Sequence, residues 1–233
     1  MDIASLNISL VRQEPKSDDC LRCCAQMIFS YFKDPISKDE IWKKLHVYKK
    51  HSGLYGAYFQ DFGKIALKRN YKAEIHHCDW HWWNKDVVTA SSKNKKSLLK
   101  ELSTLKSEKK EWADKRIVNK EILFTKLGGK FNFQIPKLET IDKYLLQKIP
   151  VILIVSAEDF FQSPKEKYSH SVLVIGKKDN NYIIRDPLHN LEETTDDELI
   201  YSWSRAGGWL MAIIPNPSKK SKQKTQSEQS QLL

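Results

Sequence analysis

From Pro150 onward the chain carries four short runs of β-branched and aliphatic residues, three of them closed by a glycine or proline. The runs are VILIVSA (151–157), HSVLVIG (170–176), NYIIRDP (181–187) and GGWLMAIIP (207–215). Each has strand length, and their weak polar alternation predicts strands covered on both faces. Upstream of Pro150 the apolar residues mostly recur at spacings of three and four, which is the period of a helix. Helices first and strands last predicts an α+β fold, N-terminal helices packed on a mainly antiparallel C-terminal sheet.

The segment SDDCLRCCAQMIFSYF predicts a helix with a marked start. Ser17, Asp18 or Asp19 can cap it, Cys24, Met27, Ile28 and Tyr31 form its stripe, and Cys20 falls in its first turn. Pro35 ends that helix. A second is expected from about Ser37 to Leu45, with Ile41, Trp42 and Leu45 inward, and a third near Phe59 to Lys68, leading into a strand around Tyr71 to Cys78. From Lys95 to Lys120, Leu98, Leu102, Leu105 and Trp112 at helical spacing predict one inserted basic helix. Gly128-Gly129 reads as the C-cap of that region, and a further helix is expected from about Leu138 to Lys148.

With 233 residues, the chain accommodates one large domain with an insert. Its boundaries are expected at 1–215, with the insert at about 91–130 and a disordered basic tail at 216–233. The net charge of +10 is unevenly spread. Residues 91–130 hold twelve basic against five acidic residues, and residues 219–233 hold four against one, which together account for the whole excess. A groove-wide basic footprint is therefore missing from the main body, and nucleic acid is disfavoured as a partner. The insert instead offers itself to an acidic partner. No apolar run approaches the roughly 18 residues of a membrane span, and the N-terminal residues carry no basic start followed by an apolar stretch. A cytoplasmic location is expected, where Cys20, Cys23, Cys24 and Cys78 are thiols.

A thiol attacks a carbonyl as thiolate, and the free amides of a helix's first turn stabilise that anion at Cys20. His170 opens one strand-like run and Asp186 closes the next, so adjacent antiparallel strands would bring them to the same end of the sheet. There the carboxylate can orient the imidazole, and the imidazole can pair with the thiolate and protonate a leaving group. Gln13, seven residues before Cys20, could donate its amide to an oxyanion. The pattern Gln13, Cys20 opening a helix that continues to Met27, His170 before an apolar strand and glycine, Asp186-Pro187, and Trp203 followed by GGWLMAIIP resembles the bacteriocin-processing (double-glycine leader) peptidases of the papain-like clan, in a stand-alone form. That resemblance implies a papain-like cysteine peptidase fold with Cys20 as nucleophile, His170 as base, Asp186 as orienter and Gln13 as oxyanion donor. It implies a peptide or protein substrate and no cofactor.

The expected activity is cleavage of peptide or amide bonds through a thioester. The same residues would serve a protein glutamine deamidase or acyltransferase. Leu21, which stands where the family commonly has Gly, and the Trp-rich patch keep an inactive peptide-binding module as the remaining alternative. Cys23 and Cys24 read as packing residues, and His189 as an exposed rival imidazole. The tract HHCDWHWW splits His76 and Cys78 from His77 and Asp79 on opposite strand faces, so it reads as packing and aromatic surface, and no metal site is assigned.

Overall fold

The computed structural model describes residues 2–49, 55–79 and 83–216. Among them the chain forms α1 (Cys20–Tyr31), α2 (Lys38–Lys44), α3 (Phe59–Lys68), β1 (Tyr71–His77), α4 (Lys85–Ser91), α5 (Lys95–Glu108), α6 (Trp112–Lys126) and β2 (Lys130–Phe133). These are followed by α7 (Leu138–Leu146), β3 (Val151–Ser156), α8 (Ala157–Phe160), β4 (Ser169–Lys178), β5 (Asn181–Arg185), β6 (Glu193–Thr195), α9 (Asp196–Arg205) and β7 (Leu210–Pro215). The fold is α+β. Its seven strands among the described residues form one sheet in the order β2-β1-β7-β3-β4-β5-β6.

Every pairing is antiparallel except β1 with β2, so the sheet is mixed, and two of its strands come from before residue 134 rather than from the C-terminal run. β7 makes this possible by lying between β1 and β3, joining the early strands to the late ones. Eight consecutive residues of β4 are buried, as its unbroken apolar run predicts. α1 and α7 pack against β4, α9 against β3 and α3 against β1. Trp203 is buried from α9, and its indole N–H donates to the Trp209 carbonyl at 3.0 Å, pinning the approach to β7.

The basic segment differs from the single helix expected. Lys109 and Glu111 have extended backbone, so α5 stops at Glu108 and α6 starts afresh at Trp112. The residues between them carry no apolar side chain to bury, whereas folding back lets Leu98, Leu102 and Leu105 meet Ile117, Val118 and Ile122 in a second core. Trp112 is consequently turned outward instead of joining that stripe. α6 also reaches the main core through Phe124, whose ring occupies space that a Cβ at Gly63 or Gly129 would fill. Gly128 takes φ +98°, and the amides of Gly128 and Gly129 return to Thr125 and Phe124, closing the helix as expected of a C-cap. Of the expected tail, Asn216 is held by Asn70, and residues 217–233 lie outside the described residues.

Candidate active site

Cys20 is the first residue of α1, where the backbone amides still lack intrahelical acceptors. Asp19 occupies the N-cap position, yet neither Ser17, Asp18 nor Asp19 caps the helix through its side chain. The reason lies in Arg22. Its guanidinium donates to Asp19 at 2.8 Å and to the Leu45 and Trp42 carbonyls, so Asp19 is spent on bracing α1 against α2. The amides at the helix start are thereby left without a side-chain cap.

His170 is the second residue of β4 and is buried. β5 runs antiparallel to it, and Pro187 turns the chain out of the sheet just after Asp186, so the two residues meet at one sheet end. His170 Nε2 lies 2.7 Å from Asp186 Oδ1. The carboxylate is itself held by the backbone amides of Leu188, His189 and Leu191. With Nε2 committed, Nδ1 is the ring nitrogen left to face Cys20, and the two side chains shift each other's pKa.

The electrostatics separate Cys20 from its neighbours. Burial pushes its thiol up, but the His170 hydrogen bond and charge, with further hydrogen bonds from the backbone and side chain of Ser171, outweigh burial and leave its pKa below the usual thiol value. Burial, and then the charge of Asp19, pushes Cys23 up to about 12. Cys24 is driven well above its ordinary value by burial and by the other two cysteines, and its thiol donates to the Ser171 carbonyl. Cys78 is raised by burial and Asp79. His170 would be lowered by burial, but Asp186 and Cys20 raise it to about 9. Asp186 is lowered overall, since the His170 contacts and backbone amides overcome its burial.

A cleft of about 850 Å³ opens on this group and is lined by Cys20, His170, Gln13, Tyr168, His189 and Trp209, among others. Gln13 is tied to the same corner: its backbone amide donates to the Pro187 carbonyl at 3.0 Å, and its side-chain Nε2 donates to Ser17 O at 2.9 Å. Leu21 also touches the cleft but is 2% exposed and belongs to the main core, so its side chain does not stand across the opening. His189 is exposed as expected and lines the same cleft, its ring 6.4 Å from that of His170 and its Nε2 3.3 Å from Tyr168 Oη. Two neighbours escaped the sequence reading. Ser171 follows His170 directly, and that adjacency was the available signal. Trp209 is brought to the cleft by β7 and carried no such mark.

The HHCDWHWW tract goes to packing where it is described. His76 is 2.8 Å from Tyr144 Oη, and burial lowers it to about 4. His77 stacks on Trp209 at 3.9 Å, and burial lowers it to about 3. Trp83 is buried in the second core. Trp80, His81 and Trp82 lie outside the described residues.

No protein-family model matches this chain, nor does any curated protein sequence. Among solved structures, the chain is similar to one described as a C39-like peptidase from Bacillus anthracis, at 14% identity and a TM-score of 0.55, covering 93% of this chain and 98% of that one. A double-glycine-motif protease from an AMS/PCAT transporter, solved with its leader peptide, aligns at 12% identity and a TM-score of 0.49, covering 93% and 99%. The peptidase domain of Streptococcus ComA, a bi-functional ABC transporter of a quorum-sensing pathway, aligns at 12% identity and a TM-score of 0.48, covering 90% and 100%. At such identities the likeness is one of fold, and the fold is that of papain-like C39 peptidase domains.

Proposed function

We propose that the protein is a cysteine peptidase or closely related thiol hydrolase that opens peptide or amide bonds through a Cys20 thioester. The observation that carries this reading is the chain of contacts from Asp186 through His170 to the one cysteine of α1 whose pKa is lowered. Cys20 as thiolate attacks the carbonyl carbon, and the oxygen takes up the negative charge. Gln13 keeps a second amide N–H besides the one given to Ser17, and with the Cys20 backbone amide it would receive that oxyanion. Collapse breaks the C–N bond as the His170 imidazolium gives its proton to the departing nitrogen. Neutral His170 then takes a proton from water, whose oxygen attacks the thioester and releases Cys20. Asp186 keeps the ring in the tautomer that serves both steps. The reading takes residues 1–215 as one catalytic domain.

The sulfur's nucleophilicity tests the first half of this proposal without knowledge of the substrate. Iodoacetamide should label Cys20 at about pH 6 much faster than Cys78, and His170→Ala should remove the advantage. Labelling of Cys20 no faster than Cys78 would overturn the activated thiolate. The reaction class is read by mass spectrometry of a complex peptide mixture treated with the wild type or Cys20→Ala. New peptide termini made only by the wild type support hydrolysis. Conversion of Gln to Glu with no new termini would replace it by deamidation.

A further inference from the structure

The outer face of α6 gathers several exposed apolar side chains along one helix. Trp112, Leu123 and Leu127 are 54%, 41% and 47% exposed, three of the large apolar side chains that the fold leaves in solvent. At 3.6 residues per turn, positions 112, 116, 123 and 127 fall within roughly 60° of one another on the helix, so these three share a stripe with Arg116. Arg116 lies over the Trp112 ring at 5.0 Å. The far end of the stripe is flanked by Lys126, whose carbonyl accepts from the Lys95 ammonium at 2.9 Å. Among the described residues, no carboxylate forms an ion pair with Lys95, Arg116 or Lys126. The stripe thus combines apolar tips with exposed cations, Arg116 lying over both the Trp112 and Tyr48 rings, on a helix whose opposite side is anchored in two cores.

We propose that this face seats the protein on an anionic lipid surface. The shape favours a lipid plane over a folded partner. The three apolar residues are spread along roughly 22 Å of a convex helix, and neither the cleft nor the smaller cavity beside Asn7–Leu10 reaches them. A protein interface calls for a well-packed patch of about 800 Å² per partner, whereas a fluid headgroup layer accepts separated apolar tips around which basic side chains snorkel. Tryptophan beside Arg and Lys suits that boundary. No described helix is long and apolar enough to span a membrane, so the association would be peripheral. Ile117 is a residue of the same helix and lines the cleft roughly 100° round from Arg116, so a docked α6 brings the cleft beside the lipid surface.

The test is co-sedimentation of the full-length chain with vesicles of phosphatidylcholine alone, or of phosphatidylcholine mixed with phosphatidylglycerol. Binding is expected to the mixed vesicles at low salt, to weaken as salt rises, and to be much lower with phosphatidylcholine alone. Each cation at an anionic surface is worth about fivefold in partitioning, so Arg116→Gln with Lys126→Gln should weaken binding roughly twentyfold. A Trp112→Ser, Leu123→Ser pair should weaken it at least about tenfold. Both pairs alter exposed side chains, and circular dichroism checks that they remain folded. Absence of binding at low salt, or equal binding to both vesicle types, overturns the proposal. So does unchanged binding by both variants, because they retain the lysines of residues 219–224. Capture by poly-glutamate without capture by the mixed vesicles would assign the face to an acidic polypeptide instead.

Discussion

Glu121 allows a quantitative test of how α6 is held on the body. It is fully buried, and its Oε2 accepts from Gln60 Nε2 at 2.9 Å. The adjacent Lys120 pairs with Asp61 and with Tyr48 Oη, so the nearest buried cation is engaged elsewhere. Burial, only partly offset by the hydrogen bond from Gln60, raises Glu121 from 4.5 to about 7. At 1.36 kcal/mol per pKa unit, a shift of about 2.5 units is worth roughly 3 kcal/mol. The sign follows from which state loses its proton first. Below about pH 4.5 both states hold the proton and the folded chain bears no penalty. As pH rises, the unfolded chain ionises first, and stability is lost until the folded group also ionises near pH 7. Glu121→Gln keeps the shape and the Gln60 contact but removes the titration. Urea unfolding followed by circular dichroism at several pH values should show the variant and wild type nearly equal at about pH 4.5, with the variant gaining up to about 3 kcal/mol by about pH 8. Taking the difference between the two proteins removes the contribution of other titrating groups. A difference that stays flat across this range, or a variant weaker at the alkaline end, would refute the account of a buried, insufficiently solvated carboxyl.

Two further outcomes bear on the scaffold. Gly63→Ala drives a methyl into the Phe124 ring with Met211 also close, and should cost about 1–3 kcal/mol in urea unfolding, with partial rescue by Phe124→Leu. Thr195→Ala removes the hydroxyl that receives the Glu198 amide at 3.2 Å in the capping box of α9, and should cost about 1 kcal/mol by the same measurement.

What the sequence disclosed and what it withheld follow the range of the interactions involved. α3 was legible to the residue, because Phe59, Phe62, Ile65 and Ala66 repeat at helical spacing and all are buried on one side. β3, β4, β5 and β7 were legible because continuous apolar runs of that length have few other uses, whereas β6, three residues of Glu and Thr, offered no such run. α9 was missed although Thr195 and Glu198 stand three apart at its start, since only Leu199 and Trp203 mark its inner side and the flanking residues are polar. The insertion of β7 between β1 and β3 could not be read locally, because every apolar strand offers an acceptable edge and register is settled by the assembled sheet. The same distinction runs through the candidate site. The approach of His170 to Asp186 depends on two strands joined by a short turn, so spacing alone foretold it. Bringing Cys20 to them depends on α1 packing over β4 from some 150 positions away, which only the choice of residue types suggested. Asp19 illustrates the limit: as a sequence it reads as a helix cap, and in the fold it is claimed by Arg22, three residues on, whose other donors are fixed by the distant Trp42 and Leu45 carbonyls. A carboxylate turned toward Arg22 leaves the start of α1 without a side-chain cap, at the turn that Cys20 opens.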